Sequence, residues 1–183
     1  MAQDIVLLFF NSFAGKYLFL DWFVTAIVPY FFLALLLFIV WRRSLQQMLI
    51  AALAWCSIVL IDLVSDTLLM IPRPFMVLPI TTIAQHAPTN SFPSGHTLLA
   101  FTLAFVVFFC APRRWERITA LALAAVVGLS RLYLGVHWTV DVVASSIIAF
   151  GVVYLIHKIT LRYNVDKILK EYLPASLRRV LRP

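Results

Sequence analysis

Between Trp22 and Ile159 the sequence is a succession of apolar runs, each near the ~20 residues that a helix needs to cross about 30 Å of hydrocarbon. In lipid, every backbone N–H and C=O must find its partner inside its own segment, so such runs predict helices. Composition agrees: 63% of residues are hydrophobic and 13% charged, with mean hydropathy +0.96. A soluble domain is about half apolar and a quarter charged. The expected fold is all-α, a polytopic membrane helical bundle. With 183 residues, too few for two comfortable domains, residues 1–183 are read as one membrane-embedded domain.

Breakers divide the runs into about five spans. The first is expected from Trp22 to Trp41, kinked at Pro29 and stopped by Arg42 and Arg43. The second runs from Met48 to Ile71 and ends at Pro72 and Pro74. A polar loop, 72–93, follows. The third span covers Ser94 to Ala111, the fourth Ile118 to Leu134, and the fifth Thr139 to Ile159. Residues 3–18, broken by Asn11, Gly15 and Lys16, read as an interfacial or half-inserted helix. The start, MAQDIVLLFF, carries Asp4 where a secretory signal has a basic region, and is expected to stay with the folded protein. Cys56 and Cys110 lie in apolar runs and read as small buried hydrophobes.

Five spans place the chain ends on opposite sides. Twelve of the 15 Lys and Arg residues fall on one side: Arg42, Arg43, Arg113, Arg114, Arg117 and the seven from Lys158 onward. The positive-inside rule makes that side, with the C-terminus, cytoplasmic. Arg73, Arg131 and Lys16 then lie outside. In the tail, 163–183, apolar residues alternate with basic ones at helical spacing, as in an amphipathic helix on an anionic leaflet. The net charge of +7 comes mostly from the tail and inner loops, so it gives no reason to expect nucleic acid as a partner. The expected location is a cell (inner or plasma) membrane.

Against this background Ser130–Asp141, SRLYLGVHWTVD, stands out: it sets Arg131, His137 and Asp141 at membrane depth. Ionisable groups there are expensive and by default functional. On a helix, His137 and Asp141 would share a face, the carboxylate holding one imidazole nitrogen and freeing the other. The alternative is a pair that only ties two spans. Pro93-Ser94-Gly95-His96-Thr97 marks a helix start, whose free N–H groups suit a phosphate oxygen. Gly95 allows close backbone approach, and Ser94 either donates to a ligand or caps the helix. Arg73, stiffened between Pro72 and Pro74, offers a fork for phosphate or a cation snorkelling to headgroups.

Taken together, Arg73-Pro74, Pro93-Ser94-Gly95-His96 and Ser130-Arg131 through His137 to Asp141 resemble the type 2 phosphatidic acid phosphatase superfamily. Its signature is K-x6-RP, PSGH and SR-x5-H-x3-D, here spread over residues 66–141. The soluble vanadium haloperoxidases use the same pocket; a bundle acting on lipid makes that activity the less expected one. The resemblance implies that His137 attacks phosphorus and forms a phosphohistidine, that Asp141 orients it and that His96 protonates the leaving oxygen. It also implies that Arg73, Ser94, Gly95, Ser130 and Arg131 bind phosphate. Phosphoryl transfer needs mainly positioning and positive charge, which two arginines and a helix start supply. No metal and no cofactor are expected, and the partners are a lipid phosphate or diphosphate and membrane lipids.

One position departs from the signature: the lysine should fall at residue 66, which is Asp66. A carboxylate there cannot bind phosphate; it either holds Arg73 or Arg131 or simply ends its span in water. Asp62, a turn deeper, should need a partner. Undecaprenyl-diphosphate phosphatases of the superfamily can also lack the lysine, and their wording is similar to RPF, Gln85-His86-Ala87, SFPSGH and SRLYLGVHWTVD here. A polyprenyl diphosphate is therefore the expected substrate. Phosphatidylglycerophosphate, phosphatidic acid or lipid A is the runner-up, and a non-catalytic lipid-binding or transport protein is the reading from another class. His86 reads either as part of the substrate mouth or as a solvated loop histidine, and His157 as interfacial.

Overall fold

The computed structural model describes residues 4–27, 30, 34, 45–83, 86–163, 165, 171 and 172. Among these residues the regular structure is all helical. Helix α1 spans Ile5–Asn11 and α2 Leu18–Trp22, continued by a π-helical turn Phe23–Ile27. Next come α3, Leu45–Leu68, and a single turn α4, Pro74–Val77, with Pro74 at a position whose N–H would be unpaired anyway. The bundle is completed by α5, Gly95–Cys110, α6, Arg114–Tyr133, and α7, Thr139–Arg162.

The four long helices α3, α5, α6 and α7 match the expected second to fifth spans within a few residues. By length and apolarity, α3 over Gln47–Leu68 and α7 qualify as membrane spans. Helix α5 is apolar but has only 16 residues. Helix α6, with 20, starts on charged residues and carries Arg131 in its last turn. Most of the expected first span and most of the tail lie outside the described residues.

Helix α5 is the centre, packed against α3, α6 and α7. Its contact face is built of small residues: Ala100, Ala104 and Val107 meet Ala120, Ala124 and Val127 of α6 and Val153 of α7. Small side chains let helix backbones approach closely, which drives association where lipid gives no hydrophobic push. Outward faces stay apolar, with Leu63, Ile147 and Leu155 exposed, as contact with lipid chains requires. Neither cysteine is paired, and Cys56 faces outward rather than inward as expected.

The N-terminal segment does not form one long interfacial helix. It breaks after α1, and Leu7, Asn11 and Ala14 are buried against the loops at the end of the bundle where α7 begins. Ile5, Phe9, Leu18 and Phe19 remain exposed on its other side.

Candidate active site

Three helix ends meet at that end of the bundle. Helix α6 closes with Gly135 in the left-handed region at φ +68. There the Val136 N–H reaches back to the Arg131 carbonyl (3.2 Å) and the Gly135 N–H to Leu132 (3.0 Å). This pair of bonds satisfies the last carbonyls of the helix and turns the chain sharply. The turn delivers His137 just before α7 rather than on it, because α7 starts at Thr139 with Asp141 in its first turn. The stacked helical arrangement expected for His137 and Asp141 is therefore replaced by a loop-to-helix one.

The closest approach of that pair is 3.7 Å, from Nδ1 to Oδ2. The imidazole Nδ1 lies instead 2.7 Å from the Ser91 carbonyl, so Nδ1–H donates to the backbone and Nε2 is left without a proton. Asp141 Oδ2 accepts from the Ser91 hydroxyl (2.6 Å) and from the Trp138 N–H (2.9 Å). Ser91 thus holds both members, through different atoms, from 46 and 50 residues away. Ser91 heads the SFPSGH stretch, but no role was expected of it. Its role runs partly through a carbonyl that any residue has.

The freed Nε2 faces Arg73 Nη1 at 3.2 Å, and the same nitrogen donates to the Val136 carbonyl (3.2 Å). Arg73 Nη2 donates to the Thr89 hydroxyl (3.2 Å), while its Nε is buried with no partner among the described residues. Burial pulls the Arg73 guanidinium below its ordinary range, opposed by Asp66, Asp141 and Asp62. It remains a cation at any ordinary pH. For His137, burial is the largest influence and lowers the pKa; Asp141 and the Ser91 carbonyl oppose it, and Arg73 adds to the lowering. The imidazole is accordingly neutral at neutral pH.

At the start of α5, Ser94 does not cap the helix with its side chain. Its hydroxyl pairs with Thr97 (2.8 Å) and its N–H donates to Ser145 of α7 (2.9 Å). The N-terminal N–H groups of α5 are thereby left uncapped by Ser94. Arg131 is 4% exposed, and its Nε and Nη2 both rest on the Ser130 hydroxyl (3.1 and 3.0 Å). Ser130 in turn donates to the Val127 carbonyl (2.6 Å), so its hydroxyl is engaged in steadying Arg131. His96 is exposed and lies within electrostatic reach of Arg131, His137, His86 and Arg73.

Two cavities open on this cluster. One, about 390 Å³, runs along α3 and α5 between Trp55, Ile58, Val59, Leu98 and Leu99 and ends at Asp62, Gly95 and His96. The other, about 430 Å³, is bordered by Asp66, Pro72, Met76, Thr89 and Asn90. The Asp62 carboxylate packs on the start of α5: a Cβ added at Gly95 would stand 3.2 Å from Oδ2. The positive end of α5 is the partner that a carboxylate at this depth needs. Asp66 acts electrostatically on Arg73. Among the described residues no three His, Cys, Asp or Glu side chains stand close enough to hold a metal ion.

A helical bundle in which two buried or half-buried arginines, an uncapped helix start and a neutral imidazole converge defines a phosphate-handling membrane protein. The family profile described as the PAP2 superfamily matches residues 60–164, and the chain belongs to that superfamily, a PAP2 membrane phosphatase. It is 32% identical over 148 residues to the bacitracin transport permease protein BcrC of Bacillus licheniformis, covering 76% of this chain and 71% of that one. It is 29% identical over 153 residues to the undecaprenyl-diphosphatase BcrC of Bacillus subtilis, covering 80% of this chain and 77% of that one. The fold is similar to the crystal structure of a transmembrane PAP2 type phosphatidylglycerolphosphate phosphatase from Bacillus subtilis. The TM-score is 0.65 at 20% identity, covering 88% of this chain and 89% of that one.

Proposed function

We propose that the protein hydrolyses the terminal phosphate of a polyprenyl diphosphate, undecaprenyl diphosphate in the first instance, at the outer face of the membrane. The single observation that carries the chemistry is the imidazole of His137, its Nδ1–H on a backbone carbonyl and its Nε2 beside Arg73. In this reading Nε2 attacks the terminal phosphorus. The bond from phosphorus to the bridging oxygen breaks, and His96 gives that oxygen a proton. The lipid monophosphate leaves. Water then attacks the phosphohistidine and returns a proton to His96, and inorganic phosphate is released. Arg73, Arg131 and the start of α5 at Ser94 and Gly95 hold the equatorial oxygens, where charge builds up in the transition state. Arg73 Nε is a buried donor that a phosphate oxygen would satisfy.

The substrate side rests on the lipid-side cavity of α3 and α5, apolar along its length and polar only at Asp62 and His96, which suits an isoprenoid chain with its headgroup at the bundle end. The relative named an undecaprenyl-diphosphatase and the wording of the three motifs point the same way. The excess of basic residues on one side of the expected spans supports a cytoplasmic C-terminus and a site on the outer face. Phosphatidylglycerophosphate, phosphatidic acid or lipid A is the second substrate reading, favoured by the fold similarity to a phosphatidylglycerolphosphate phosphatase. A transport or lipid-binding role without chemistry is the reading suggested by the relative named a transport permease.

Purified protein and its His137→Ala variant, each given undecaprenyl diphosphate, phosphatidylglycerophosphate, phosphatidic acid and lipid A, separate the three. Phosphate release fastest from undecaprenyl diphosphate and absent in the variant is the expected result. If that lipid is the poorest substrate the assignment within the family fails, and if His137→Ala leaves function intact the catalytic reading fails.

A further inference from the structure

The N-terminal segment grips the turn that carries His137 at three places, none of them used by the reaction above. Asp4, whose Oδ1 starts α1 by accepting the Leu7 N–H (3.0 Å), also accepts from the Thr139 N–H (2.8 Å) and the Thr139 hydroxyl (2.7 Å). Thr139 opens α7 two residues after His137. Asn11, 5% exposed, donates to the carbonyls of Tyr133 (2.9 Å) and Thr81 (2.8 Å) and accepts from the Thr81 N–H (3.0 Å). Asp21 accepts from the Tyr133 hydroxyl (2.5 Å) and from the Gly15 N–H (3.1 Å). Both ends of the segment Tyr133–Thr139 are thus fastened to residues 4–21. Its middle is pressed from the same side, since a Cβ at Gly135 would stand 2.6 Å from Ile80 and 3.1 Å from Asn11.

We infer that Asp4 and Asn11 are positioning residues, and that residues 4–21 form a clamp setting the angle at which the His137 imidazole meets Arg73 and the substrate phosphorus. Between Gly135 and Trp138 the chain is irregular, so no helical ladder fixes the imidazole. Arg73 holds the Val136 carbonyl from one side, and Asn11 and Asp4 hold the flanks from the other. Attack on phosphorus tolerates little error: a displacement of about 1 Å at the reacting atom can cost ~10²-fold in rate. The clamp leaves the arginines and the start of α5 untouched, so it bears on turnover and not on phosphate binding. The proposal rests on the phosphatase reading only for its kinetic arm.

The test compares Asn11→Ala, Asp4→Ala and Asp4→Asn with Ser12→Ala, whose hydroxyl donates to the Phe9 carbonyl on the exposed side of the same segment. Asn11→Ala is expected to lower kcat by ~10–100-fold and Asp4→Ala by ~10-fold, with KM within ~3-fold of wild type. Asp4→Asn keeps an oxygen for Thr139 and should recover most of the loss, and Ser12→Ala should match wild type. Amide hydrogen exchange over residues 134–141 should quicken in the two alanine variants and not in Ser12→Ala. Wild-type kcat and wild-type exchange in both alanine variants would overturn the clamp, as would a loss confined to KM. Should Asn11→Ala fail to fold, Asp4→Ala, at a partly exposed residue, decides alone. A wild type that releases phosphate from no lipid sinks the proposed function instead, and the exchange arm then judges the clamp by itself.

Discussion

The two sides of the site are built on opposite plans. On the inner side Ser91, Ser94, Ser130, Arg131, His137 and Asp141 are each under 6% exposed, and every one of them is hydrogen-bonded to another residue of the protein. On the outer side His96 and Asp66 are exposed, and Arg73, half-buried, stands on the loop just before α4. The first side is set before any ligand arrives, which is what lowers the reorganisation cost of a charged transition state. The second can adapt to what it meets. Chemistry should therefore fail steeply when the inner side is altered, while a change on the outer side at Asp66, which takes no part in the proposed steps, should mainly redistribute affinity and substrate choice.

The steepest expected effect is at His137. His137→Ala should reduce phosphate release by ~10⁴-fold or more and abolish acid-labile phosphate on the protein, measured after quenching with labelled substrate. Comparable labelling in the variant would move the nucleophile elsewhere and dissolve the contrast. Next comes Arg131→Lys, expected to cost ~10²-fold in kcat, because a point charge cannot reproduce a fork already resting on Ser130. A change in KM alone would place Arg131 with the adaptable side.

Asp141→Asn sharpens the comparison differently. Were the carboxylate the direct partner of His137 Nδ1, losing it would select the wrong tautomer and cost ~10⁴-fold. Here the Ser91 carbonyl holds Nδ1–H and Asp141 acts at one remove, so a loss of only ~10–100-fold is expected. The acid limb of kcat/KM gives a second readout. Burial holds the His137 pKa below the ordinary 6.5, so activity should fall only as pH drops below that value and His137 takes up a proton. Asp141 favours the charged imidazole, so removing its charge should move the limb to still lower pH; a limb moving upward would contradict the assigned electrostatics.

Much of this was legible in the sequence because it concerns residue types that a membrane span does not otherwise keep. Arg131, His137 and Asp141 are conspicuous in an apolar chain, and the breakers at Pro72, Pro93 and Gly135 place the ends of the helices that the structure brings together. What escaped was work done by ordinary atoms at long range. Ser91 acts through a carbonyl and a hydroxyl across 46 and 50 residues, and Asn11 reaches Tyr133 across 122. No local period or spacing encodes such contacts. The expected helical pairing of His137 with Asp141 gave way to a loop-to-helix one for a related reason: Gly135 announces a break, but not where the next helix restarts.

The smallest effect belongs to the position where the chain leaves its family's pattern. Asp66 is exposed on α3, borders the 430 Å³ cavity and is felt by Arg73 without contributing to the inner network. Asp66→Lys restores the family's residue and changes the local charge by two units next to Arg73. Water and salt screen exposed charges strongly, so the change should alter KM by less than ~10-fold and leave kcat within ~3-fold. Its sign is informative. A lysine should tighten lipid phosphates with small, highly charged headgroups, phosphatidic acid above all, relative to undecaprenyl diphosphate, and the shift should shrink as ionic strength rises. A collapse of kcat on that substitution would show that the outer side sets the reaction geometry too, and the division between a fixed chemical half and an adaptable recognition half would have to be abandoned.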